Sequence, residues 1–292
     1  MFMRSLRAPK EHESPFARFT RRFLSDRLGM SFLVFLLVLI AVGLLAPLIS
    51  PYDPEAQDLG SAFAPASAAH LLGTDEVGRD YLSRMLHAIR PTLLAGVLAT
   101  ALSLLIGLPT GLAAGYFRGA LDTALSRFTD AVMAIPSLLF ALALVAILGP
   151  GIRTVILAIG VANAPRFFRV ARSIALVIRQ ETYIEASRSL GISHSRILRT
   201  HVLPNMASPL IVQISMTIGF SILFEAGLSF LGLGVQAPEA SWGSMLRNAT
   251  AYASENIGLV LWPGLAILVV VLAFNTVGDS VRDSLGREQR KF

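Results

Sequence analysis

Few side chains among the 292 residues are of a type and spacing to make or break covalent bonds. Cysteine is absent, which removes disulfides, thiolate metal sites and a thiol nucleophile. The two lysines, Lys10 and Lys291, lie near the ends, so no Gly-rich loop carries the lysine that must reach nucleotide phosphates. There is no His-Glu-x-x-His for zinc and no Gly-x-Ser-x-Gly nucleophile elbow. One carboxylate stands out, Glu225, inside the apolar run LFEAGLSFLGLG (223–234). An acid in such a run is costly unless paired, protonated or facing a wet cavity. It is therefore either a candidate translocation-path residue or a hydrogen-bonding partner for a neighbouring span or backbone group. Asn163 and Asn275 suit interhelical hydrogen bonds, and Gly107, Gly111 and Gly115, four residues apart, suit close helix packing.

The elements that must position these residues are membrane spans. Hydrophobic residues make up 54% of the chain and charged ones 15%, against about 25% charged in a soluble domain. The basic residues sit in short blocks between apolar runs, with no aromatic-interleaved basic domain, which argues against a nucleic-acid partner. A span needs about 20 largely apolar residues, and six stretches qualify: 30–50, 92–117, 131–149, 154–178, 209–234 and 257–278. The first, third and sixth are unbroken by charge. The fourth contains Asn163, Pro165, Arg166, Arg169 and Arg172, so it should run along protein with its arginines emerging toward headgroups. The expected class is all-α and polytopic, with six transmembrane helices.

Basic residues crowd the head (Arg4 to Arg27), the region from Arg166 to Arg199 and the tail (Arg282 to Lys291), whereas the opposite side holds Arg79, Arg84, Arg90, Arg153 and Arg247. The positive-inside rule puts both termini in the cytoplasm, with Trp242 and Trp262 as outer interfacial anchors. The expected organisation is a basic, amphipathic head (1–29), a first span (30–50), an extracytoplasmic loop (51–90), a core with five spans (91–281) enclosing a cytoplasmic loop (179–205), and a cytoplasmic tail (282–292). Within the outer loop, Gly73 and Gly78 permit tight turns, and Thr74 and Asp75 can bond local backbone.

The inner loop is the most informative segment. Residues 181–190 suit a helix, and Gly191 is a natural stop in the left-handed conformation. Ser193 can cap a second helix, which Pro204 should end. Ile197, Leu198 and His201 share one side of that helix, away from Arg196 and Arg199. An apolar ridge with basic flanks fits a groove in a partner; equally, it fits a helix resting on the membrane surface.

This loop resembles the Glu-Ala-Ala loop of bacterial ABC importer permeases. The matching positions are Glu185-Ala186-Ser187, Gly191 and Pro204, with His201 and Asn205 in frame; Ser187 stands where the motif has a second Ala. LLGTDEVGRD (71–80), FLGLGVQAPEASWG (230–243) and WPGLAILVVVLAFNTVGDSVRD (262–283) resemble the C-type subunit of dipeptide, oligopeptide and nickel importers, so the likeness covers about residues 30–285. The stretch HAIRPTL (87–93) and the tail Leu285-Gly286-Arg287 depart from the family pattern. The resemblance implies a type I ABC importer permease in the bacterial inner membrane, lining half of a path for peptides or similar small solutes. It implies partners: a second homologous permease, one or two cytoplasmic ATPase subunits that hold ATP and Mg, and an extracytoplasmic substrate-binding protein. This chain would bind no cofactor. The loop would dock on the ATPase through Glu185, Ala186, Ser187, Gly191, Ile197, His201 and Pro204. The alternatives are an intramembrane enzyme or an ion channel without ATPase partners.

Overall fold

The structure, a computed structural model, describes residues 15–286, with side chains from Phe19 onward at the amino end; the basic head before Pro15 and the tail beyond Gly286 lie outside the described residues. The described chain is almost wholly helical: α1 Pro15–Ser25, α2 Arg27–Ile49, α3 Tyr81–Phe117, α4 Gly119–Ala134, α5 Ser137–Leu148, α6 Ile152–Ile178, α7 Thr182–Ser189, α8 His194–Ile197, α9 Leu203–Phe230, α10 Trp242–Ala251 and α11 Gly258–Gly286. A bilayer explains the choice, because a helix satisfies its backbone polar groups internally where no water can.

Five stretches are long and apolar enough to cross a membrane, and the third expected span is not among them. It is broken into α4 and α5, which meet at 88°. Pro136 has no N–H to donate and forces Ile135 into extended backbone (φ −87°, ψ 126°), so the helix cannot run through. Apolar composition alone conceals that break.

The register between α3 and α6 shows that the bent pair still recrosses. Cβ atoms built on Gly107, Gly111 and Gly115 would fall on the carbonyl oxygens of Ala164, Phe168 and Arg172. The three glycines thus meet three carbonyls at the same spacing, and the two helices run in the same direction in close contact. By that register Phe117 lies level with Ile174, while α6 begins about 22 residues earlier, at Ile152. The chain from Arg118 to Gly151 must therefore climb roughly 33 Å, a full hydrocarbon thickness. Six crossings result, five as single helices and one bent.

Other contacts orient the remaining spans. Gly29 meets Ser280, Gly43 meets Ile89, Gly219 meets Asn275, and Gly278 meets Ser215. Hence α2, the bent pair and α9 run one way, and α3, α6 and α11 the other. Both described ends lie on the same side as the 179–205 hairpin. There the Ser280 hydroxyl, with the Gly29 and Leu28 N–H groups, holds the Asp26 carboxyl below its ordinary range and ties α2 to α11.

At the opposite end, residues 51–80 form a compact cap, and α3 begins at Tyr81, eleven residues before the expected span and ten inside the expected loop. Asp80 caps that helix, accepting the Ser83 N–H at 2.8 Å, and also faces His70 Nδ1 at 2.9 Å. Asp75, 3% exposed, accepts the N–H groups of Val77 and Arg79 and the Arg79 guanidinium at 2.7 Å. Gly73 and Gly78 take positive φ, and a Cβ on Gly78 would fall on the Asp58 carbonyl. The loop is self-satisfied, as its turn residues imply.

Trp242 corrects a second expectation. It is 2% exposed and packs in the core with Tyr81, Ile89, Ile222 and Leu259, its indole donating to the Met85 carbonyl at 3.2 Å. It therefore anchors α10 to α3 and does not sit in the headgroups. Trp262 is exposed, as an interfacial residue should be. Two arginines of α6 also find partners on a neighbouring helix. Arg172 pairs with Asp122 at 2.5 Å and Arg169 with Asp130 at 3.0 Å, so α4 supplies counter-charges to the neighbouring span.

Candidate functional site

The 179–205 segment is a hairpin fixed to the ends of α3 and α6. Helix α7 stops in a six-residue motif: the Ile192 N–H donates to the Ser187 carbonyl at 3.1 Å and the Gly191 N–H to that of Arg188 at 2.9 Å. Gly191 sits at φ +73°, where L side chains are strained, and a Cβ there would meet nothing within 4 Å. Ser193 then starts α8 from extended backbone (φ −60°, ψ 144°), though its hydroxyl makes no capping bond.

Pro204 does not end the second helix. Residues Leu198–Val202 widen into a π turn, in which the Leu203 N–H reaches back to Leu198, and α9 continues through Pro204 to Phe230. Proline lacks the N–H that would serve Thr200 and its ring would crowd that carbonyl; the wider turn just before it gives room. The Asn205 side chain donates to the His201 carbonyl at 2.7 Å, satisfying a second group at the same bend. The hairpin is thereby continuous with a membrane span.

Its inner face is apolar and closed. Ile184, Ile197, Val202 and Met206 are fully buried against Tyr116 of α3 and Ala171, Ala175 and Ile178 of α6. Each such side chain withdrawn from water contributes about 1.5–3 kcal/mol. The Tyr116 hydroxyl lies 2.9 Å from His194 Nδ1, and the Arg188 guanidinium lies over the Tyr116 ring at 5.0 Å. Ile197 is therefore corrected: it seats the hairpin on its own spans and has no surface to offer a partner. Ser187 is buried too, its hydroxyl returned to the Tyr183 carbonyl at 2.7 Å.

The outer face carries Glu185, Ala186, Gly191 and Pro204, all exposed, and half-buried His201, whose ring meets that of Tyr183 at 5.7 Å. Partial burial, with Glu181 adding, pushes the Tyr183 hydroxyl up, so it stays neutral. Between them stands Leu190, 80% exposed at the tip of α7. Sequence reasoning missed it, although Tyr183, Ala186 and Leu190 share the spacing of one helix face. An apolar knob on a rigid, membrane-anchored hairpin can transmit a push from a docked body into α6 and α9.

Glu225 belongs elsewhere. It is fully buried and accepts the Ser229 hydroxyl at 2.5 Å, with the Ser241 side chain also beside its carboxyl. Gly243 of α10 packs against Ala226 and Ser229 on the same part of α9. In this conformation Glu225 is enclosed within the subunit and hydrogen-bonded, the second of the two roles its sequence setting allows. Asn163, 1% exposed, does not form the interhelical bond expected of it: among the described residues neither amide atom has a partner. Arg166 does face open space at membrane depth, on a cleft of about 570 Å³ between α6, α9 and α11 that Gln213, Thr217, Asn275 and Asp279 also line.

Comparison with known proteins agrees with this geometry. Residues 107–291 match the family described as binding-protein-dependent transport system inner membrane component, and residues 14–66 match the N-terminal TM domain of oligopeptide transport permease C. The chain is 41% identical to a glutathione transport system permease protein of Pectobacterium atrosepticum over 94% of its own length and 92% of the relative's. It is 40% identical to a di/tripeptide transport system permease protein of Pseudomonas aeruginosa, again over 94% and 92%. Among solved structures, a chain of the inward-facing MetNI methionine ABC transporter superposes with a TM-score of 0.58 at 20% identity, covering 70% of this chain and 97% of that one.

Proposed function

The chain belongs to the family of binding-protein-dependent transport system inner membrane components, and from that premise we propose that it is half of the translocation path of an ATP-driven importer of short peptides. Membership makes it an integral membrane transport subunit, not an enzyme. The observation that carries the rest is the hairpin: exposed Leu190 and Glu185 on one face, Ile184 and Ile197 locked into α3 and α6 on the other. The ATPase subunit takes the outer face, at Glu185, Ala186, Gly191, His201 and Pro204, with Leu190 as its apolar contact. Closure of two ATPase subunits around ATP and Mg, which they alone bind, moves the hairpin as a lever. A second, homologous permease supplies the other half of the path, and an extracytoplasmic binding protein delivers the solute. Relatives named for glutathione and di/tripeptides support a short peptide as that solute. The setting is the bacterial inner membrane, with both ends and the hairpin in the cytoplasm.

Two results test this reading. The purified chain alone should neither bind nor hydrolyse ATP; with its ATPase subunits, second permease and loaded binding protein in proteoliposomes, hydrolysis and peptide uptake should appear together. Nucleotide affinity of the isolated chain would remove the division of labour. For orientation, the absence of cysteine allows single-cysteine variants directly. An impermeant thiol reagent applied from outside should label Ala68→Cys and Glu239→Cys, both exposed at the loop end, and spare Ser193→Cys at the hairpin. Labelling of Ser193→Cys from outside would invert the topology.

A further inference from the structure

Arg166 lies 14 residues from the start of α6 and 12 from its end, roughly 20 Å from either, and so at mid-depth. Among the described residues it makes no ion pair, unlike Arg169 and Arg172 on the next turns. Its guanidinium lies over the Phe220 ring, 4.2 Å from the centroid. A half-buried cation held in a span without a counter-ion is expensive, and such residues mark the routes of charged cargo.

The cleft it faces has a second charged end. Gln213, Asn275 and Asp279 line the same space as Arg166 and Phe220. Gly278, beside Asp279, packs against Ser215, so Asp279 lies some six residues of α9 from Phe220, about 9 Å along the axis. Two or three extended residues measure roughly 7–11 Å, which is the spacing of the ammonium and carboxylate of a short peptide. Asn275, which packs beside Gly219, lies between and can bond a peptide group, while Gln213 stands level with Asp279. The volume, about 570 Å³, admits a solute of that size.

We infer that this cleft is a transient binding station for a zwitterionic di- or tripeptide, its carboxylate on Arg166 and its ammonium on Asp279. The inference rests on the peptide-importer reading and adds the residues that grip the cargo. A guanidinium–carboxylate pair in a partly desolvated cleft supplies orientation as well as attraction. Solvent at the exposed Asp279 end weakens that contact, so release toward the hairpin end follows once the carboxylate pair opens.

The test uses the complete complex in proteoliposomes, with radiolabelled alanyl-alanine and glutathione as probes. Arg166→Gln should lower uptake per ATP hydrolysed by about tenfold or more, the worth of one charge-assisted hydrogen bond. Hydrolysis stimulated by loaded binding protein should stay within about twofold, and Arg166→Lys, which keeps the charge but not the planar fork, should recover part of the loss. Asp279→Asn should lower uptake by a smaller factor, a few-fold, because water screens it. Parental uptake in Arg166→Gln overturns the inference, as does a parallel fall of uptake and hydrolysis, or a Lys variant no better than Gln. Should Arg166→Gln not accumulate, Arg166→Lys and Asp279→Asn carry the test: a few-fold loss of uptake in each, with hydrolysis within about twofold, supports it, and any other pattern overturns it. A parental complex that moves neither peptide removes the importer reading itself, a separately recognisable failure.

Discussion

Gly191→Val is expected to abolish most substrate uptake by the assembled complex while leaving the six crossings in place. The position is a clean probe because a Cβ there meets no atom within 4 Å, so the substitution adds strain without a clash. At φ +73° a β-branched residue costs about 2 kcal/mol. That is enough to disfavour the native corner by roughly thirtyfold and to swing Leu190 and Glu185 out of register with Ile197. Uptake and binding-protein-stimulated ATP hydrolysis should fall together, by tenfold or more, with the solute affinity of the binding protein unchanged. Gly191→Asn provides the gradation, since Asn enters the left-handed region more readily than other side chains; it should retain more activity than Gly191→Ala, and Gly191→Ala more than Gly191→Val. Pull-down of the ATPase subunits separates failed docking from failed transmission. Parental transport by a normally inserted Gly191→Val protein would make the hairpin a surface feature and leave the force path to be sought elsewhere.

What made Gly191 legible is that its demand is local: a helix followed by glycine and a second helix needs one positive φ, whatever surrounds it. Pro204 breaks the same kind of rule for a local reason as well, but the remedy, a π turn over Leu198–Val202, leaves no mark in residue type. Ile197 shows a different limit. An apolar ridge on a short helix states that something must cover it and says nothing of whether a partner or the chain's own α3 and α6 does so. Trp242 was misplaced by the same logic, since topology fixes which side of the bilayer a residue is on and burial depends on what α10 packs against. Glu225 was open between two readings, because composition ranks an isolated carboxylate as costly without revealing that Ser229 and α10 enclose it. The spans themselves were readable, because apolar length is the property the bilayer demands; the kink at Pro136 was not, because hydropathy averages over it.

The α3–α6 contact carries the second large effect, and it acts on folding where Gly191 acts on coupling. Gly111→Leu should leave little folded protein, and even Gly111→Ala should lower thermal stability markedly. Any Cβ at 111 would fall on the Phe168 carbonyl oxygen and within 2.9 Å of both the Phe168 Cα and the Ala171 Cβ. Two of those three are backbone atoms, which cannot rotate away as a side chain can, so relief requires the helices to separate. Without a hydrophobic drive between helices in lipid, close packing is a main source of their association, and separation forfeits dispersion contacts along the whole seam. The expected cost for alanine is at or above the roughly 1–3 kcal/mol of an overpacked core, and leucine should exceed it. Gly264→Ala is the control, since a Cβ at 264 meets nothing within 4 Å. The measurement is the yield of monodisperse protein in detergent and its thermal transition: Gly264→Ala should match the parent, Gly111→Ala should melt several degrees lower, and Gly111→Leu should be recovered at a tenth or less. Because α6 leads directly into α7, partial separation should also loosen the seat of Ile184 and Ile197, so surviving Gly111→Ala complexes should show weakened coupling of hydrolysis to uptake. Normal yield and melting of Gly111→Leu would mean that α3 and α6 do not touch along the glycine row, and the recrossing of the bent α4–α5 pair, deduced from that register, would fall with it.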